Sequence, residues 1–200
     1  METIVDGTGK GYSLKIDVNG SAHVDSISTN REEAQSQKGY AFNINTGNIT
    51  LTNAATANGV LYLKNNENYD LVITNFFYNF GNSTGGSGNM YVDIIRNPST
   101  GTLISGATAV DVNINRNFGS SRALSVSAYK GATGLTVTNG ETALKSIFNT
   151  TAQRVALSAG AITLPKGSAI GIVFTTPTGN TSLICSFAIA CYLEDEENQY

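Results

Sequence analysis

Residues 69–80 read YDLVITNFFYNF, and the parity of their apolar side chains decides the fold. Successive side chains of a strand point to opposite faces, so a half-buried strand carries its apolar residues at every second position. Leu71 and Ile73 keep to odd positions, whereas Phe76, Tyr78 and Phe80 keep to even ones. One extra residue exchanges the faces of a strand, so the change of parity implies a bulge near Thr74 and Asn75. The alternative is that both faces are covered.

Strand patterns continue on either side of this run. Before it, Tyr40, Phe42 and Ile44 alternate with polar neighbours, a Thr-Gly-Asn turn follows at 46–48, and NITLT and GVLYLKN come next. Leu61 and Leu63 share a face, and Asn65, Asn66, Glu67 and Asn68 form a turn cluster. After it, the loop GNSTGGSGN leads into MYVDIIRN, where Met90, Val92 and Ile94 face one way. Residues 97–101 make a turn from which 102–104 are expected to pair back as a hairpin. Further strands are expected at 109–114, around Leu124, Val126 and Ala128, at 153–158, at 168–176 and at 181–193. Residues 141–149 read as a short helix or turn: Leu144, Ile147 and Phe148 fit helical spacing, and Glu141 with Lys145 is an i,i+4 pair.

Short strands at fairly regular spacing, with no long helix and no βαβ alternation, predict an all-β sandwich or barrel. About eight main strands from Tyr40 onward match a jelly roll, a sandwich of two antiparallel sheets. An immunoglobulin-like sandwich is the alternative, weakened by the lack of tryptophan and of a bridging cysteine pair.

Ahead of this body, residues 12–18 read YSLKIDV, with Tyr12, Leu14, Ile16 and Val18 on one side and Ser13, Lys15 and Asp17 on the other. A glycine-rich lead precedes the segment, a DVNG turn closes it, and a polar stretch at 28–37 separates it from Tyr40. It reads as an N-terminal β arm needing something to lie against. The expected organisation is an arm and linker over 1–37 and a β-sandwich domain over 38–200. Tyr12, Leu14, Ile16 and Val18 are the candidate partner-binding residues.

Composition narrows the function. Charged residues make up 14% of the chain, against about 25% in average soluble proteins, while 40% hydrophobic residues argue against disorder. The polar surface is expected to be neutral, made of Asn, Ser and Thr. The net charge is −3 and no basic stripe appears, which argues against direct nucleic-acid binding. No basic region followed by an apolar run marks a signal peptide. The longest apolar run, LICSFAIACYL, is too short to span a bilayer. It reads as a buried strand whose cysteines, Cys185 and Cys191, share the apolar odd face and lie too far apart to bridge. Free buried thiols suit a reducing cytoplasm. The acidic residues Glu194 to Glu197 read as a solvated end.

No motif points to chemistry. Gly81 to Gly85 spells G-x-S-x-G, but between strands and without a histidine base in reach, since His23 is the only histidine. His23 itself has no evident nucleophile or carboxylate partner. Asp17, Asn19 and Ser21 match only part of a calcium loop, with Ser28 where its distal glutamate belongs. Residues 7–11 lack the spacing of a phosphate loop. Asn48, Asn82, Asn149 and Asn180 each begin an N-x-[ST] triplet, which chance explains in so Asn-, Ser- and Thr-rich a chain. Phe76, Phe77, Tyr78 and Phe80 read as core or subunit packing, with a sugar-binding face as the lesser reading. The expectation is a non-enzyme with no catalytic residues, no metal and no cofactor.

Several segments carry a resemblance to a known family. VDGTGKGYSLKIDVNGSAHVDSIS resembles an N-terminal segment of structural proteins in tailed-bacteriophage virions. KGYAFNINTGNITLT, GVLYLKNNENYDLVITNFFYNFG, IIRNPSTGTLI and NRNFGSSRALSVSAYKG are similar to the body of the same proteins. The resemblance runs through most of the chain, is loose at its C-terminal end, and carries over no functional residue. It implies a virion component made in the host cytoplasm: a jelly-roll decoration or cement protein on the head, in trimers, contacting the major capsid protein or other virion proteins. Neck, tail or fibre-associated proteins, and a receptor- or glycan-binding module, are the alternatives.

Overall fold

The computed structural model describes residues 30–106, 108–110 and 114–194. Twelve strands and two short helices follow in chain order: α1 (Arg31–Gln37), β1 (Ala41–Asn45), β2 (Ile49–Leu51), β3 (Ala57–Asn65), β4 (Leu71–Phe80) and β5 (Met90–Arg96). Then come α2 (Thr102–Gly106), β6 (Thr108–Ala109), β7 (Ile114–Asn115), β8 (Val126–Lys130), β9 (Glu141–Phe148), β10 (Gln153–Leu164), β11 (Ala169–Thr175) and β12 (Leu183–Leu193).

The strands form two sheets, β10-β4-β12-β1-β7 with β2 added beside β12, and β6-β8-β3-β11-β5-β9. Every pairing is antiparallel. Leaving aside the short strands and β8, eight principal strands remain. Numbered one to eight along the chain, they order as 6-3-8-1 and 2-7-4-5. This interleaving of two Greek keys is the jelly roll, so the immunoglobulin-like alternative falls away. Strands β6 and β8 extend the second sheet beside β3.

The bulge lies where parity places it. In β4 the pairing with β12 steps from Asn75↔Ala190 to Ile73↔Cys191, leaving Thr74 without a partner in the ladder. Leu71 and Ile73 therefore face the same core as Phe76, Tyr78 and Phe80. Aromatic rings join the sheets there: Phe80 of β4 stacks on Phe174 of β11 with centroids 5.0 Å apart, and meets Phe148 of β9 at 5.1 Å and Phe187 of β12 at 5.9 Å.

A second apolar layer explains why β3 and β11 are buried on both faces. Leu103 of α2 packs with Tyr62 and Ala169 on the outer side of the second sheet, with Leu135 and Val137 beside them. Gly59 and Gly171 make room for this cover, since a Cβ at either would stand within 2.8 Å of Val137.

Three expectations are corrected. Residues 141–149 are mostly the edge strand β9, because the segment pairs along β5 and turns Phe148 into the core, with Glu141 opposite Arg96 at 3.7 Å and Lys145 opposite Asp93 at 3.4 Å. Residues 102–104 start helix α2 instead of a hairpin strand, burying Leu103. The strand expected at 109–114 is two short pieces in different sheets, β6 beside β8 and β7 beside β1. The polar stretch ahead of Tyr40 holds α1, which buries Gln35 and ends in a glycine cap. Gly39 N–H donates to Ser36 O and Tyr40 N–H to Gln35 O, with Gly39 at φ +79°.

Candidate interaction surfaces

None of the sequence motifs for chemistry becomes a site among the described residues. The loop containing G-x-S-x-G runs between β4 and β5, and Ser83 Oγ donates to Asn180 Oδ1 at 2.6 Å. No histidine is among the described residues, and no group of three or more His, Cys, Asp or Glu gathers there. Cys185 and Cys191 are free and buried on one continuous strand, and burial pushes both thiols up to about 12. A thiol so far above its ordinary value is protonated and poorly nucleophilic. Asn180 is buried, its amide donating to Leu51 O and Asn53 O, so its triplet is no glycosylation acceptor in the folded chain. His23, the 7–11 segment and Asp17, Asn19 and Ser21 lie outside the described residues, as do Tyr12, Leu14, Ile16 and Val18. No helix among the described residues is long and apolar enough to cross a membrane.

Buried asparagines organise the loops of the sandwich, and of these only Asn65 and Asn180 fall in turns expected from the sequence. Asn65 donates to Tyr69 O and Leu164 O, while its Oδ1 accepts from Glu67 N–H. Asn115 donates to Gly39 O at 2.8 Å and to Arg122 O at 3.2 Å, and accepts from Asn117 N–H. A buried amide pays its desolvation only when its donors and acceptor are filled, so each of these fixes several backbone groups at once. An asparagine within or beside an apolar run, such as Asn58 before VLYL, is the signal that could have revealed them.

Ion pairs tie α1 and the 115–122 segment to the body: Arg31 with Glu194, Arg116 with Glu32, and Arg122 with Glu67 at 3.8 Å. Arg122 also lies over the Tyr40 ring, 4.2 Å from its centroid. Of the acidic C-terminal run, Glu194 is thus partnered, and the rest lies outside the described residues.

Four surface features among the described residues are open to a partner. The outer side of the first sheet holds a shallow depression of about 510 Å³, with Phe77 amid Asn43, Asn45, Asn75 and Asn79, and Ala188 and Ala190 beneath. Of the four clustered aromatics, Phe77 alone faces outward, and Phe76, Tyr78 and Phe80 are buried in the core. Strand β9 is an edge with Leu144 42% and Ile147 63% exposed. The third feature is a cleft of about 380 Å³ on the same flank, where β10 of one sheet parts from β5 and β9 of the other. At the opposite flank, beyond β7, Phe118 stands 94% exposed at the tip of a turn.

No protein-family model matches the chain, and no curated protein matches it. Among solved structures, it is similar to a chain of tomato aspermy virus at 10% identity and a TM-score of 0.30, covering 90% of this chain and 86% of that one. A chain of deformed wing virus carrying the GFP gene matches at 10% identity and a TM-score of 0.30, over 86% and 89%. A chain of sacbrood virus of honeybee matches at 10% identity and a TM-score of 0.25, over 98% and 84%.

Proposed function

We propose that this chain is a non-enzymatic structural protein of a tailed-phage virion, acting as a decoration or cement protein that binds across capsid subunits as a trimer. The observation that carries the reading is the jelly-roll sandwich with an amide-rich outer sheet face, its depression lined by four asparagines together with Glu32, Arg116 and Arg154. Such a face suits extended, wet, hydrogen-bonded contact between large partners. The resemblance of its segments to virion proteins supports the same reading, as do the inert buried thiols. In this reading the N-terminal arm adds a strand to a sheet edge of the neighbour, with Tyr12, Leu14, Ile16 and Val18 as anchors.

A cement protein resists the outward pressure of packed DNA by adding buried area where capsid subunits meet, so it must be present in many copies. On a stained gel of purified virions its band should approach the stoichiometry of the major capsid protein. A handful of copies per particle would overturn the head assignment in favour of the neck, tail or fibre base. Phe77 among four asparagines favours a second reading, a glycan-binding module, because an aromatic face and amides suit a sugar's C–H and hydroxyl groups. Saturable binding on a glycan array, abolished by Phe77→Ala, would establish it.

A further inference from the structure

Phe118 is an apolar side chain held out into water by a turn that is not free to withdraw it. Asn117 N–H donates to Asn115 Oδ1 at 2.9 Å, Gly119 N–H to Asn117 Oδ1 at 3.1 Å and Ser120 N–H to Asn117 O at 2.9 Å. Asn117 Nδ2 in turn donates to Gln37 O at 2.8 Å. A Cβ on Gly39 would come within 2.4 Å of Ser120 Oγ, so the turn is seated closely against the end of α1. An aromatic side chain with only two torsions, carried on a backbone already fixed, loses little entropy on binding, the property of an interface anchor.

The same chain carries a receptacle for such an anchor. The flank cleft is lined by Ile94, Ala143, Ile162, Leu164, Pro165 and Ile170 and is mainly apolar, with room for an aromatic ring. Ala143 is the residue skipped in the β5–β9 ladder, between Ile94↔Leu144 and Ile95↔Thr142, so its small side chain leaves the mouth open.

The two features lie at one level of the sandwich. Leu164 pairs with Leu71, Leu71 with Leu193, and Leu193 N–H donates to Tyr40 O, next to the Gly39 that seats the Phe118 turn. They also lie on opposite flanks, the turn beyond β7 and the cleft beside β10, at the two edges of one sheet. A protrusion and a hollow at equal height on opposite sides make a head-to-tail contact, which closes into a ring of three or more copies or runs on as an open filament according to the rotation between copies.

We infer that Phe118 of one copy inserts into the cleft between β10 and the β5–β9 edge of the next copy, joining copies of this chain flank to flank. The contact is independent of what the assembled copies decorate, and it makes no use of the N-terminal segment.

Light scattering on the full chain, with and without Phe118→Asp and Ala143→Trp, tests this. Phe118→Asp removes the anchor, and Ala143→Trp fills the cleft with the chain's own indole. Circular dichroism checks that each is folded; Phe118 is nearly free of contacts, so Phe118→Asp remains informative even if Ala143→Trp fails to fold. The unsubstituted chain should associate into species of three or more copies, and either substitution should weaken association by about 10- to 100-fold, the worth of one buried phenyl. Mixing the two variants should give a one-to-one dimer that grows no further, because the mixture retains one anchor and one cleft. A monomeric unsubstituted chain, an oligomer untouched by Phe118→Asp, or two folded variants that do not combine would each overturn the inference.

Discussion

Asn53 and Asn58 exchange two amide hydrogen bonds, Asn53 Nδ2 to Asn58 Oδ1 at 2.7 Å and Asn58 Nδ2 to Asn53 Oδ1 at 3.0 Å. Asn58 is fully buried, and it also donates to Thr56 O at 2.9 Å and accepts from Gly134 N–H at 2.8 Å. The pair thereby pins the connection between β2 and β3 to the 131–138 segment that covers the second sheet.

Removing the buried Asn58 amide takes a partner from Thr56 O, the Gly134 N–H and the half-buried Asn53 side chain at once, and leaves a gap at a fully buried position. Asn58→Ala is expected to destabilise the fold by about 2–4 kcal/mol, since unmet buried groups keep their desolvation cost. Urea unfolding checks this through a lower midpoint at unchanged slope. An unchanged midpoint would mean that the loop finds other partners.

Phe77 and Phe80 are three positions apart on β4 and lie on opposite faces. Phe80→Ala opens a cavity among Phe148, Phe174 and Phe187 and should cost about 3–5 kcal/mol. Phe77→Ala, on the outer face, should cost less than about 1 kcal/mol. Thermal unfolding of the two variants compares them directly, and equal losses would contradict the parity assignment of β4.

Burial raises the Cys185 and Cys191 thiols from 9.0 to about 12. Between those values the unfolded chain has lost protons that the folded chain still holds, so rising pH favours unfolding. Their contribution to stability should be intact below pH 9 and should fall by roughly 1 kcal/mol per pH unit for each thiol through that window. Cys185→Ala and Cys191→Ala should each flatten the fall. At pH 8 both thiols should resist iodoacetamide until denaturant is added, and rapid labelling of the native protein would contradict their burial.

The β4 bulge could be read from sequence because it is local: the parity changes within a few residues, and no distant partner is needed to see it. The outward face of Phe77 follows from the same parity. Strand β9 could not be read that way. Glu141 and Lys145 are neighbours on a helix and would share a face on a regular strand, so their spacing fits both, while the ladder with β5 and the bulge at Ala143 that sets them opposite Arg96 and Asp93 appear only in the fold. Helix α2 depends on Leu103 finding Tyr62 and Ala169 from two other strands. The cleft was equally hidden, since its lining comes from β5, β9, β10 and β11. Phe118 sits among turn formers in NRNFGSS, where nothing local shows that the ring is left in water.

Strand β12 lies between β4 and β1, and its Cys191 touches Phe42 across a separation of 149 positions. Until residue 193 is free of the ribosome, β1 and β4 lack their common neighbour and half of the sandwich has no sheet to complete. Contacts this distant in sequence also form slowly. The Phe118 turn rests on the start of β1 and the cleft lies beside β10 on the far side of β4, so the closing strand β12 is what joins the two in one sheet. Until then the turn and the cleft lack the sheet that fixes the distance between them.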